Sequence, residues 1–171
     1  MAENTADELA PHELILHELR VVDASDVDAV MTALRVALKG GPALLPKDLR
    51  AVRGGSVQEV ALIPEVPASV ALVIETSGSS GTPKRVALSA AALAASGTAA
   101  HENLGGPGQW LLALPLTYIA GISVLVRSIM SGIEPIVLPA GHFDAQSFAE
   151  HVAKMQGSRR YRQLVPLQPV S

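Results

Sequence analysis

The chain has 171 residues, 49% of them hydrophobic and 17% charged, which suits one domain with a sizeable core and excludes intrinsic disorder for most of its length. A net charge of -3, with no basic block denser than Arg159, Arg160 and Arg162, argues against nucleic-acid binding as the main task. The cysteine count of 0 excludes disulfides, Cys-based zinc sites and a thiol nucleophile.

Met1 to Glu8 is polar and acidic, without the basic and apolar stretches of a secretory signal. Residues 1–24 are taken as a mobile N-terminal segment. His12 and His17 lie five apart, so on a helix they would face different ways, unlike the four-step spacing of zinc helices. A solvated segment is the better reading, and no metal site is expected in the chain. The other histidines stand apart: His101 at a helix end, where a cation suits the dipole, and His142 and His151 as surface residues.

The first helix is predicted over Asp26 to Leu38. Val27, Val30, Met31, Leu34 and Leu38 share one face, Ser25 or Asp26 can cap the start, and Gly40-Gly41-Pro42 stops it. Val57 to Ile63 is a candidate short strand or connector. Val70 to Ile74 is a continuous apolar run, the mark of a strand buried on both faces. A Ser/Gly/Thr-rich loop follows from Thr76 to Lys84, then a short strand over Val86 to Leu88. Ser89 can cap an Ala-rich helix reaching Asn103.

Gly105 to Gly108 is a turn cluster. Strands are predicted over Trp110 to Leu114 and Glu134 to Leu138, with an apolar helix from Ile119 to Met130 between them, ended by Ser131-Gly132. An amphipathic helix over Asp144 to Met155 should turn Phe148 and Val152 inward, and a last strand should begin at Gln163 to Val165. The alternation predicts an α/β fold around a mostly parallel sheet. The stretch Leu111 to Val126 is the most apolar, but Pro115, Thr117, Tyr118 and Gly121 interrupt it and it is shorter than a bilayer span. A soluble, cytoplasmic protein is expected.

The chemistry concentrates in Thr76-Ser77-Gly78-Ser79-Ser80-Gly81-Thr82-Pro83-Lys84-Arg85-Val86. Gly78 and Gly81 permit backbone conformations in which several N–H groups converge on one anion. Thr76, Ser77, Ser79, Ser80 and Thr82 add hydroxyls, and Lys84 adds a charge on a mobile stem. Together they suit a polyphosphate. A Walker A loop fails on spacing: Pro83 precedes Lys84, and Arg85 stands where Ser or Thr would bind magnesium. A dinucleotide fingerprint and a serine-hydrolase elbow are both absent. The plainer reading, a flexible Ser/Gly loop, fits poorly with a position straight after a buried strand.

This segment resembles the Thr-Ser-Gly-Ser/Thr-Thr-Gly-x-Pro-Lys-Gly-Val signature of the adenylate-forming superfamily of acyl-CoA synthetases, adenylation domains and luciferases. Ser80 replaces a Thr and keeps the hydroxyl. Arg85 replaces a Gly, past the phosphate cradle. Leu114-Pro115-Leu116-Thr117-Tyr118-Ile119-Ala120-Gly121 resembles the family's Leu-Pro-Leu-x-His-x-x-Gly segment, with Tyr118 in place of His. The run Gly121 to Arg127 and the stretch Tyr161 to Gln168 are similar to o-succinylbenzoate–CoA ligases of menaquinone biosynthesis.

The resemblance implies an AMP-forming acid–CoA ligase. A carboxylate attacks the α-phosphate of ATP to give an acyl-adenylate, and coenzyme A then displaces AMP. It implies that Thr76, Ser77, Gly78, Ser79, Ser80, Gly81, Thr82 and Lys84 bind the ATP phosphates, with magnesium arriving as part of the ATP complex. It also implies that Tyr118 and Gly121 border the acyl pocket. A second carboxylate on the acid would need a cation, and Arg127 is the candidate; a structural arginine near a helix end is the alternative. The family's Tyr-Gly-x-Thr-Glu stretch, ribose-binding Asp and C-terminal catalytic lysine are not found. Residues 1–171 are therefore expected to be an incomplete N-terminal domain, inactive in adenylation by itself and prone to self-association through apolar surface. A substrate-dependent ATP–pyrophosphate exchange by the purified chain would overturn the inactivity. The other readings are a ligase for another aryl or fatty acid, and a non-catalytic module that binds nucleotide or mediates association.

Overall fold

The computed structural model describes residues 15–50, 65–76, 83–139, 141 and 144–163. The first described element is a strand, β1 (Leu16–Asp23). Its exposed Glu18 and Arg20 alternate with half-buried Leu19 and Val21, the period-two pattern of a strand with one wet face. The sequence reading assigned no element here. His17, expected on a solvated segment, is half-buried, and its Nε2–H donates to the Val70 carbonyl at 2.8 Å.

Helix α1 (Val27–Ala37) matches the predicted span, with Asp26 accepting from the Ala29 amide as its cap. Strand β2 (Ala43–Lys47) was not assigned from sequence, and Pro46 is an unusual residue for a strand interior. The proline is accommodated because the ladder to the neighbour on one side pairs only Leu44 with Leu72, short of Pro46. β3 (Glu65–Pro67) is a brief edge strand, also unassigned from sequence. Val57 to Ile63, the candidate strand or connector, lies outside the described residues.

β4 (Val70–Thr76) is buried from Val70 to Ile74, as its apolar run predicts, and β5 (Lys84–Ser89) returns beside it. The five strands stand in the order β3-β1-β2-β4-β5. The β1–β2 and β2–β4 pairs are parallel, whereas β3 on β1 and β5 on β4 run antiparallel at the edges.

Ser89 caps α2 (Ala90–Asn103), accepting from the Ala92 amide. β6 (Gln109–Leu112) starts one residue before the predicted strand and ends two before it, where the turn at Pro115 begins. α3 (Ile119–Ser131) buries Ile122, Val124, Leu125, Val126 and Ser128, so it is enclosed on most sides. Gly132, at φ 67°, closes it in the left-handed conformation that a β-carbon disfavours. β7 (Ile136–Val137) is shorter than predicted, since Pro135 cannot donate to a ladder.

α4 (Ala145–Ala153) is capped by Asp144, which accepts from the Gln146 and Ser147 amides. Phe148 and Val152 are half-buried rather than fully inward. The last strand among the described residues is β8 (Arg160–Arg162), which begins before the predicted Gln163. Its register is set by Tyr161 opposite Trp110, with ring centroids 4.9 Å apart, while the flanking arginines disguise the strand in sequence. Gln163 follows β8, and Leu164 and Val165 lie outside the described residues. β7, β6 and β8 form a second, all-parallel sheet in the order β7-β6-β8.

One core joins the two sheets. Leu44, Leu72 and Ile74 meet Val30 and Leu34 of α1, Leu93 of α2, Ile122 and Leu125 of α3, and Trp110 and Leu112 of β6. The opposite face of the five-stranded sheet carries a smaller cluster of Ala43, Leu45, Val66, Val70 and Val73.

Candidate functional site

The Thr76 to Lys84 segment is the connection of an antiparallel hairpin. Ile74 pairs with Val86, Glu75 with Arg85, and Thr76 with Lys84. The Thr76 hydroxyl donates to the Lys84 carbonyl at 3.2 Å and ties the two ends together. The buried run of β4 anchors one end in the core, and the exposed Lys84 stands at the other. Ser77, Gly78, Ser79, Ser80, Gly81 and Thr82 lie outside the described residues. Alternation along the strands places Leu72, Ile74 and Thr76 on the helix-covered face, with their partners Leu88, Val86 and Lys84.

The other face of this hairpin carries an ion-pair network that the sequence reading missed. Glu75 Oε1 accepts from Arg85 Nε at 3.1 Å, and Glu75 Oε2 lies 3.3 Å from Lys47 Nζ. The signal was present in Arg85, read only as a tolerated departure from the signature.

Farther along β5, a cavity of ≈ 140 Å³ opens between the hairpin, α2 and α3, lined by Leu88, Leu93, Ser96, Ile119, Ser123 and Arg127. Leu88 lies four residues from Lys84, roughly 13 Å along the strand. Gly97 also borders the cavity, and a β-carbon there would strike the Met130 sulfur, so α2 and α3 approach closely at this point.

Arg127 is held from two sides. Its guanidinium lies 4.8 Å over the Trp110 ring, and Nη1 donates to Gln163 Oε1 at 3.0 Å. Its Nε is buried without a hydrogen-bond partner, and burial lowers the guanidinium's pKa. Tyr118 and Gly121 do not join it. Tyr118 is 62% exposed at the start of α3, outside the cavity lining. Gly121 is buried under the Leu114 and Pro115 carbonyls, which leave no room for a β-carbon. The Leu-Pro-Leu segment thus fixes how β6 turns into α3, and Arg127 projects from that helix into the cavity.

Among the described residues, no group of three or more His, Asp or Glu side chains could hold a metal ion, and no helix is long and apolar enough to cross a membrane.

The five-stranded mixed sheet, joined through one core to a parallel three-stranded sheet with helices packed on it, places the chain in the α/β class. The model of the AMP-binding enzyme family matches residues 5–157, and the chain belongs to that family. It is 40% identical over 153 residues to a probable 2-succinylbenzoate–CoA ligase of Mycobacterium tuberculosis (strain H37Rv), a match covering 81% of this chain and 40% of that protein. It is 33% identical over 91 residues to the 2-succinylbenzoate–CoA ligase of Bacillus cytotoxicus, covering 52% of this chain and 19% of that one. The o-succinylbenzoate coenzyme A synthetase of Bacillus subtilis, solved in complex with AMP, shares the fold, with a TM-score of 0.50 and 18% identity, covering 80% of this chain and 40% of that one. The chain thus spans about 40% of the length of the mycobacterial relative.

Proposed function

We propose that this chain supplies the ATP-phosphate-binding loop and part of the acid-binding site of an AMP-forming acid–CoA ligase, with 2-succinylbenzoate as the acid. The observation that supports it is the hairpin. A loop rich in hydroxyls and glycine is closed at its base by the Thr76–Lys84 pair, on a strand anchored in the core. The choice of substrate is supported by the names of the relatives, which specify 2-succinylbenzoate.

In this reading Thr76, Ser77, Gly78, Ser79, Ser80, Gly81 and Thr82 hold the β- and γ-phosphates through amides and hydroxyls, and Lys84 neutralises their charge. Such transfers depend on positioning and electrostatics more than on covalent help from the protein. Arg127, which lines the cavity, pairs with the carboxylate of the acid that does not react; Tyr118, next to the lining residue Ile119, borders the mouth of the acyl site, and Gly121 serves it by letting β6 turn tightly into α3. Coenzyme A is the second acceptor. A titration of the chain with MgATP, followed by calorimetry, tests the loop. Wild type should bind, and Lys84→Ala should weaken binding at least about ten-fold, the loss expected for one charge-assisted contact to phosphate. Equal binding by the two proteins would refute the assignment of Lys84.

A further inference from the structure

The network on the far face of the hairpin lies where it can act on the phosphate loop without touching a ligand. Lys47 is the last residue of β2, Glu75 the penultimate residue of β4, and Arg85 the second residue of β5. The three side chains therefore cross three neighbouring strands one step before the loop. Each Glu75 oxygen serves one cation, Arg85 at 3.1 Å and Lys47 at 3.3 Å. The side chains are 21% to 25% exposed, so the ions are neither dry nor fully screened. Glu75 and Arg85 form the ladder pair directly below Thr76 and Lys84. Successive strand residues face opposite ways, so this network cannot share a ligand with Thr76 and Lys84. Apart from its electrostatic field, it can reach the loop only through the backbone.

We infer that Glu75, clamped between Arg85 and Lys47, is a positioning residue that fixes the base of the phosphate loop and thereby the place of Thr76 and Lys84. The inference rests on the reading of this loop as a polyphosphate site. β5 is an edge strand, paired only with β4 among the described residues, so its register near the loop depends on that one neighbour. The clamp ties β5 to β4 through Arg85, and ties β4 to the more central β2 through Lys47. The cross-strand pair couples the two ends of the connection, and Lys47 couples them to the core of the sheet.

The charges make the inference testable by sign. Two cations and one carboxylate leave the network at +1. If it acted only through its field, Glu75→Gln would raise the local positive charge and tighten binding of a polyanion. If it acts by positioning, the same change weakens binding despite the added charge.

The experiment is a double-mutant cycle on the intact chain, with Glu75→Gln, Arg85→Gln and the double variant, titrated with MgATP and, separately, with inorganic tripolyphosphate. Melting curves accompany each protein. The expected result is about a five-fold loss of MgATP and tripolyphosphate affinity in Glu75→Gln, a loss no larger than that in Arg85→Gln, and a double variant no weaker than Glu75→Gln, because Arg85 acts through the carboxylate that Glu75→Gln has already removed. Melting temperatures should differ by only a few degrees, as for other partly exposed ion pairs. Binding by Glu75→Gln that is unchanged or tighter than wild type overturns the inference and leaves the phosphate-loop reading standing. Losses that add in the double variant overturn it as well. If wild type binds neither ligand, the phosphate-loop reading fails, and the inference falls with it. Should Glu75→Gln fail to fold, Glu75→Asp keeps the charge but shortens the reach to both cations; it must weaken binding, and unchanged affinity would overturn the inference.

Discussion

The Arg127 guanidinium lies over Trp110, donates to Gln163 and borders a cavity of ≈ 140 Å³. Stacking on a ring leaves the edge of a guanidinium able to donate in its own plane, the geometry a carboxylate needs. In the proposed role, Arg127→Ala lowers the affinity of the chain for 2-succinylbenzoate, measured with MgATP present, by about ten-fold or more. A drop in melting temperature with unchanged affinity would instead make it a structural arginine. At this scale the sequence offered candidate residues but not what they touch. Arg127 was recognisable as a candidate, but its contacts depend on Trp110 and Gln163, distant in the chain. Arg85 was visible as a departure from a signature, yet its meaning required Glu75 opposite it and Lys47 on a strand not assigned from sequence.

At the scale of elements, the caps at Asp26 (with Ser25 as the alternative) and Ser89 were legible, whereas Asp144 was read as the first residue of its helix. Asp26, Ser89 and Asp144 each accept hydrogen bonds from the first turn of the helix they precede, because their side chains satisfy amides that have no partner within the helix. Ser89 has a double position, as the last residue of β5 and the cap of α2. Ser89→Ala should therefore cost about 1 kcal/mol of stability, seen as a shift in the urea midpoint with little change in slope. No shift would mean that packing alone sets where α2 begins. Strands were less legible than helices. β4 announced itself by an uninterrupted apolar run, while β1, β3 and β8 carry charged or proline residues at alternate positions and acquire their identity from pairing. Tyr161 belongs to a strand because Trp110 stands opposite, a long-range fact that local propensity does not contain.

For the whole molecule, the alternation of strands and helices was enough to give the α/β class, but not the division into two sheets that share one core. That division follows from α3, an apolar helix buried on most sides, which needs a sheet on one flank and helices on the other. The antiparallel edge formed by β4 and β5 was likewise unread, although it is what brings Thr76 and Lys84 together. The central claim is that the connection between them holds the phosphates of a nucleotide. The measurement that tests it most directly is an amide NMR titration of the chain with MgATP. The largest shifts are expected on Thr76 to Arg85, with smaller ones along β4 and β5. Shifts of that size centred on another part of the molecule, with Thr76, Lys84 and Arg85 unmoved, would contradict the claim.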